Sequence, residues 1–138
     1  MKLQNPRTEN QNSKNIDKMS TIYVLKTINN EDALVAQTIK EKLADISEVV
    51  ELIYHKYQTG GRLIYIGAGS SGALGMLEAD EMFPTYGISK EKIFAIMAGD
   101  EDAVKLMHKG FEDNKELAIA DLKAIVFNAK DTLVGIAA

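Results

Sequence analysis

From about Glu31 to Tyr57 the apolar residues fall at Val35, Ile39, Leu43, Ile46, Val50, Ile53 and Tyr57, in steps of 4, 4, 3, 4, 3 and 4. That spacing keeps them on one side of a helix. A helix of this length predicts a break near Ala44–Asp45. The stripe suits the chain's own core first and a second subunit next. Ahead of it, Ile22, Leu25 and Ile28 predict a shorter helix capped by Ser20 and broken at Asn29–Asn30, with Asn30 or Asp32 capping the next. Residues 1–19 are polar and rich in amides, and read as an extended arm that orders only against something else. Gly60–Gly61 stops the helical segment, 20–59.

The period then changes. Arg62-Leu-Ile-Tyr-Ile66 and Ile93-Phe-Ala-Ile-Met97 are short, continuously apolar runs, as expected of parallel strands buried on both faces. Gly67 to Gly72 is a tight loop and Ala73 to Met82 the helix after it, ended by Pro84 and Gly87. Glu101 to Lys109 and Asn114 to Ala124 read as helices parted near Gly110, and Thr132 to Ala138 as a third strand. The fold class is therefore α/β: a helical N-terminal region, then a parallel three-strand βαβ sheet over 60–138 that stops after its third strand. Ligands of such sheets sit in the loops after the strands' carboxyl ends, and the loop after the third strand is expected to be missing.

Composition narrows the chemistry. Sixteen Lys and Arg against twenty Asp and Glu give a net charge of −4 in 138 residues, which argues against a nucleic-acid or membrane-surface footprint. Zero cysteines exclude disulfides, thiolate metal sites and a cysteine nucleophile. The two histidines, His55 and His108, read as surface or packing residues, and no metal site is expected. No apolar run approaches a membrane span and no secretory signal opens the chain, so a soluble cytoplasmic protein is expected.

Strand, then Gly67-Ala-Gly69-Ser70-Ser71-Gly72, then helix makes an anion cradle: glycines for the turn, free amides at the helix start, and two hydroxyls that can donate to phosphate oxygens. A plain glycine turn is the blander account, but two adjacent serines exceed what a turn needs. The same string matches the dinucleotide-binding G-x-G-x-x-G. That fold wants an acidic residue about 20 positions on, where Lys92 stands. A Walker loop is excluded because no Lys follows Gly72. Glu78 and Glu81 share a face of the following helix, with Glu81 about two and a half turns from the anion site, on the scale of a sugar ring plus its phosphate. Glu112 follows Gly110, where loops approach the strand ends. Two carboxylates can divide acid and base roles when their surroundings differ, although acidic residues on helices are usually solvated surface.

The string Gly60-Gly-Arg-Leu-Ile-Tyr-Ile-Gly-Ala-Gly-Ser-Ser-Gly72, followed by Glu81 and Pro84-Thr-Tyr-Gly87, closely resembles the bacterial N-acetylmuramic acid 6-phosphate etherases of the sugar isomerase (SIS) superfamily. Thr8-Glu9, Ile16-Asp17, Ile28 to Asp32, Ala98-Gly99, Glu112-Asp113, Asp121-Leu122 and Gly135 to Ala138 match the family's pattern in the same order. The resemblance implies a lyase of peptidoglycan recycling that removes D-lactate from the sugar 6-phosphate, leaving N-acetylglucosamine 6-phosphate. It implies no metal or organic cofactor, and a homodimer with sites near the subunit interface. Carried over by position, Gly69, Ser70, Ser71 and Gly72 bind the substrate phosphate. Glu81 becomes the acid that protonates the departing lactate oxygen, and Glu112 the base.

Four departures bear on this. Ala73 stands where the family has Arg, Ser70 replaces a Thr, and Met82-Phe83 replace Cys-Pro. Asp80 replaces a small residue, and would favour a protonated Glu81 if both faced inward. The resemblance covers the amino-terminal half of an etherase, so little activity is expected of the 138 residues alone. A non-catalytic sugar-phosphate-binding SIS module is the alternative, and a nucleotide-dependent oxidoreductase a weaker third.

Overall fold

The computed structural model describes residues 9–98 and 114–137. The chain divides into two compact units that meet in sequence at Val49–Val50.

In the first unit, Gln11–Ser13 and Ile16–Lys18 form single 3-10 turns ahead of α1, Thr21–Glu41. Two of the amide-rich residues, Asn10 and Asn12, are held against α1. Asn10 and Asn12 donate their side-chain amides to the two carboxylate oxygens of Glu31, at 2.6 and 2.7 Å. These bonds hold the Glu31 pKa below the ordinary carboxylate value. α1 runs straight through Asn29–Asn30, where the sequence predicts a break. Asparagine costs a helix only a few tenths of a kcal/mol relative to its neighbours in the propensity scale, and the flanking residues form good turns. The break comes at Lys42, between α1 and α2 (Leu43–Gln58), two residues before the Ala44–Asp45 break that the length of the stripe predicts. Ser20 occupies the N-cap position without a side-chain capping bond.

The apolar stripe is helical as predicted, but it is not core. Val35, Ile39, Leu43, Ile46 and Val50 are all exposed, and only Ile53 and Tyr57 at the end of α2 pack onto buried residues. Periodicity reports which residues share a face, and says nothing of what covers that face.

The second unit is α/β. Three parallel strands, β1 (Leu63–Gly67), β2 (Ile93–Met97) and β3 (Thr132–Ile136), lie in the order β2-β1-β3. Leu63 stands beside Ile93 on one side and Thr132 on the other, and Gly67 beside Met97 and Ile136. α3 (Gly69–Tyr86) packs on the sheet through Gly72, Gly75 and Ala79, while Ile64 of the central strand is fully buried. α3 outlasts its expected end at Met82. Pro84 is tolerated one turn from the terminus, and Gly87, at φ +69°, stops the helix by returning its amide to the Phe83 carbonyl. α4 (Lys115–Ala124) is capped by the Asn114 side chain, which accepts from the Leu117 amide. The expected helix over 101–109 lies outside the described residues.

A polar clamp ties the amino ends of β1 and β3. Asp131, 4% exposed, accepts from the backbone amide and Nε of Arg62 and, at 2.6 Å, from its Nη2. Asn128 donates to Asp131 through both its backbone amide and its side chain. The Arg62 guanidinium also caps the carbonyls of Ile125 and Val126 and lies 5.7 Å from the Phe94 ring centre.

Candidate functional site

The cradle forms at the carboxyl end of the central strand. Ala68 alone separates β1 from the helix. The helix already begins at Gly69, so Gly69, Ser70, Ser71 and Gly72 are its first turn rather than a loop before it. The Gly72 amide bonds back to the Ala68 carbonyl at 3.1 Å, which leaves the amides of Gly69, Ser70 and Ser71 as the unpaired donors of a helix start.

Glycine is required here for two separate reasons. Gly69 sits at φ +54°, in the left-handed region that side chains disfavour. Gly67 and Gly72 need no unusual torsion, but a Cβ on Gly67 would stand 2.9 Å from the Gly72 nitrogen. Gly75, a turn further on, clears the Tyr65 side chain, with 3.1 Å to its Cβ. The partly buried Tyr65 phenol is in turn held above its ordinary pKa by desolvation and, secondly, by the negative charge of Glu78. It is therefore a neutral hydrogen-bond donor across the physiological range.

The predicted site residues are only partly brought together. Ser70 is exposed and Ser71 half-buried at the helix start. Glu81 lies on the same helix ten residues past Ser71, a rise of about 15 Å along the axis, shortened by the backward lean of helical side chains. Its carboxylate is exposed and accepts a long hydrogen bond, 3.4 Å, from the Thr85 hydroxyl one turn on. Asp80 does not face inward with it. That carboxylate is paired with Lys90 at 2.8 Å on the exposed side. Glu112 and His108 lie outside the described residues. His55 is exposed on α2, and no cluster able to hold a metal ion occurs among the described residues.

Between cradle and carboxylate runs a stripe that the sequence reading missed. Ser70, Leu74, Leu77 and Glu81 are spaced 4, 3 and 4 apart on the face of α3 turned from the sheet. Leu74 is 62% and Leu77 61% exposed. The signal was available in the same arithmetic that found the longer stripe before it. α3 carries no Lys, Arg or His along its length, so its own residues offer the anion only amides, hydroxyls and the helix dipole. Among the described residues, no helix is long and apolar enough to cross a membrane.

Comparison with known proteins gives a consistent set of likenesses. A family model described as the glucokinase regulatory protein N-terminal SIS domain matches residues 45–138. A Mycoplasma mycoides subsp. mycoides SC protein named N-acetylmuramic acid 6-phosphate etherase is 53% identical over 128 residues, 93% of this chain and 42% of that protein. Proteins of the same name from Clostridium botulinum (strain Loch Maree) and Actinobacillus pleuropneumoniae serotype 5b are 49% and 50% identical, over 95% and 94% of the chain. The chain spans 43% and 42% of those two relatives.

Proposed function

Because the chain belongs to the SIS-domain family of that matching model, and its curated relatives are named etherases, we propose that it is the sugar-phosphate-binding part of an N-acetylmuramic acid 6-phosphate etherase. The observation that carries this reading is the first turn of α3. There, two glycines, one left-handed and one close-packed against Gly67 of β1, present two serine hydroxyls and free amides at the carboxyl end of a parallel strand.

In the proposed reaction the substrate phosphate sits on Gly69, Ser70, Ser71 and Gly72. The proton beside the aldehyde of the ring-opened sugar is acidified by the carbonyl, and Glu112 removes it as base. The electron pair forms the carbon–carbon double bond and expels the lactyl ether oxygen. Glu81 protonates that oxygen as it leaves, because an alkoxide is a poor leaving group. Water then adds to the unsaturated product, with the two carboxylates in reversed roles. The rise between Ser71 and Glu81 fits a site completed by further protein, which agrees with a homodimer and with a low activity for the 138 residues alone. We place the reaction in the cytoplasm, where a phosphorylated sugar is retained.

A non-catalytic sugar-phosphate-binding module is the second reading. It is favoured by Ala73 and by the lack of any cation on α3. Calorimetry separates these. N-acetylmuramic acid 6-phosphate should bind and its unphosphorylated form should not, with Ser71→Ala weakening binding by about 1–2 kcal/mol, the worth of one charged hydrogen bond. Equal binding of both sugars would remove the phosphate cradle.

A further inference from the structure

At the end of the sheet opposite the cradle, each strand is preceded by a basic residue: Arg62 before β1, Lys92 before β2, and Lys130 two positions before β3. With Gly60, Glu91, Asn128 and Asp131 they line an open cavity of about 350 Å³. Its charges are not balanced. Arg62 is matched by Asp131, but among the described residues Lys92 Nζ donates only to the Gly60 carbonyl, at 3.1 Å. Beside the cavity, among the described residues, Lys56 Nζ donates only to the carbonyls of Ala129 and Asp131, at 3.2 and 3.0 Å. Carbonyl oxygens satisfy an ammonium's hydrogens without cancelling its charge. Lys130 is exposed, and among the described residues only its backbone amide is engaged, by Asn128 Oδ1. Among the described residues that line the cavity, Glu91 is the one carboxylate besides Asp131, which Arg62 matches, in a chain whose net charge is −4.

Two backbone features mark the same place. Gly60, at φ +94°, has nothing within 4 Å of where a Cβ would stand, so the cavity stays open on that side of the chain, while its amide donates to the Tyr57 carbonyl at 3.1 Å. Val126 is held at φ +53°, a conformation a β-branched residue adopts at a cost of about 1–3 kcal/mol. Its carbonyl is gripped by Arg62 and Asn128, two of the residues that line the cavity. Strain of this kind persists where surrounding contacts enforce it, and such places are enriched in ligand sites.

We propose that the cavity between Arg62, Lys92 and Lys130 is a second anion site, at the amino-terminal edge of the sheet, for a small phosphate-bearing ligand. Arg62 and Asp131 form its fixed wall, and Lys92 and Lys130 supply the uncompensated charge.

The test is a titration of the isotopically labelled chain with inorganic phosphate and then pyrophosphate at low salt, followed by nuclear magnetic resonance. Saturable shifts are expected at the amides of Gly60, Lys92 and Lys130, with pyrophosphate binding more tightly. Lys130→Gln should weaken binding there by about two- to fivefold and Glu91→Gln should tighten it by a similar factor, the range for one solvent-screened charge. Ser71→Ala should leave this affinity unchanged. Shifts confined to the first turn of α3, or affinities that neither Lys130→Gln nor Glu91→Gln moves, would overturn the proposal. Both substitutions are at exposed side chains, so a failure to fold does not obscure the result.

Discussion

A Cβ on Gly72 would stand 2.6 Å from the carbonyl oxygen of Gly67, so these two glycines set how closely α3 leaves the end of β1. Neither has a torsion that demands glycine. Their role is the close approach, which brings the free amides of the first turn to the strand end. Gly72→Ala must therefore push strand end and helix start apart. It should destabilise the chain by about 1–3 kcal/mol, the usual cost of overpacking a tight contact. It should also weaken binding of the sugar 6-phosphate more than Ser70→Ala does, since it displaces every donor at once. Urea denaturation and calorimetry on the same variant read both effects. An alanine tolerated without loss in either would refute the close-approach account.

Asp131 and Arg62 give the chain an acid-sensitive clamp. The Arg62 hydrogen bonds, chiefly, hold the Asp131 carboxyl well below its ordinary value of 3.8, at about 2, against the burial that would raise it. A depressed folded pKa means the folded state favours the ionised form. The resulting stability is complete above about pH 4 and is lost as the pH falls from there through 2. A shift of this size is worth about 2 kcal/mol. Asp131→Asn should remove that part of the acid-limb slope and lower stability at neutral pH by about 2–4 kcal/mol, because Arg62 is left without its charge partner. Thermal melts at pH 2.5, 4 and 7 check it. Parallel pH dependence in both proteins would show that another carboxylate governs the acid limb.

How far the sequence could be followed depended on which property each residue reports. β2 lay where the unbroken run Ile93 to Met97 put it, and β1 one residue later than expected, because buried parallel strands have a composition of their own. The Gly60–Gly87 stretch carried both the turn and the family likeness. Pro84 misled, since a proline in a last turn removes one hydrogen bond that a helix end can spare. The stripe from Val35 to Val50 also misled, because a helical period looks the same whether the face meets a core or solvent. The Arg62–Asp131–Asn128 clamp joins residues up to 69 apart in the chain, and no local pattern announces a pair at that separation.

Leu74 and Leu77 lie exposed between the serine turn and Glu81, and α1 and α2 show a further exposed stripe at Val35, Ile39 and Ile46. Apolar surface of that extent favours association. In sedimentation the chain should show a concentration-dependent mass above that of a monomer. Leu74→Ser with Leu77→Ser should lower the association constant by about tenfold or more, from the transfer cost of two leucine side chains. A monodisperse monomer at every concentration would exclude self-association through either stripe.

Glu81 is the residue on which the enzymatic reading turns. Lactate elimination asks for a carboxyl that hands a proton to the ether oxygen, and Glu81 offers an exposed carboxyl on the helix that starts at the proposed phosphate cradle. Reach is the difficulty, since about 15 Å of helix separate Ser71 from Glu81, and misplacement of about 1 Å can already cost a hundredfold in rate. The 138 residues should accordingly release little D-lactate from N-acetylmuramic acid 6-phosphate. Joined to the part of the Mycoplasma mycoides relative that they do not match, and with Ala73→Arg restoring a cation at the cradle, they should release it measurably. In that protein Glu81→Gln keeps the side chain's shape and its bond from Thr85 but has no proton to give. Release should fall by about 100- to 10,000-fold, the usual range for losing a general acid, with substrate affinity nearly unchanged because the phosphate is held elsewhere. An undiminished rate would remove Glu81 as the acid, whereas a fall confined to affinity would make it a binding residue and favour the non-catalytic module.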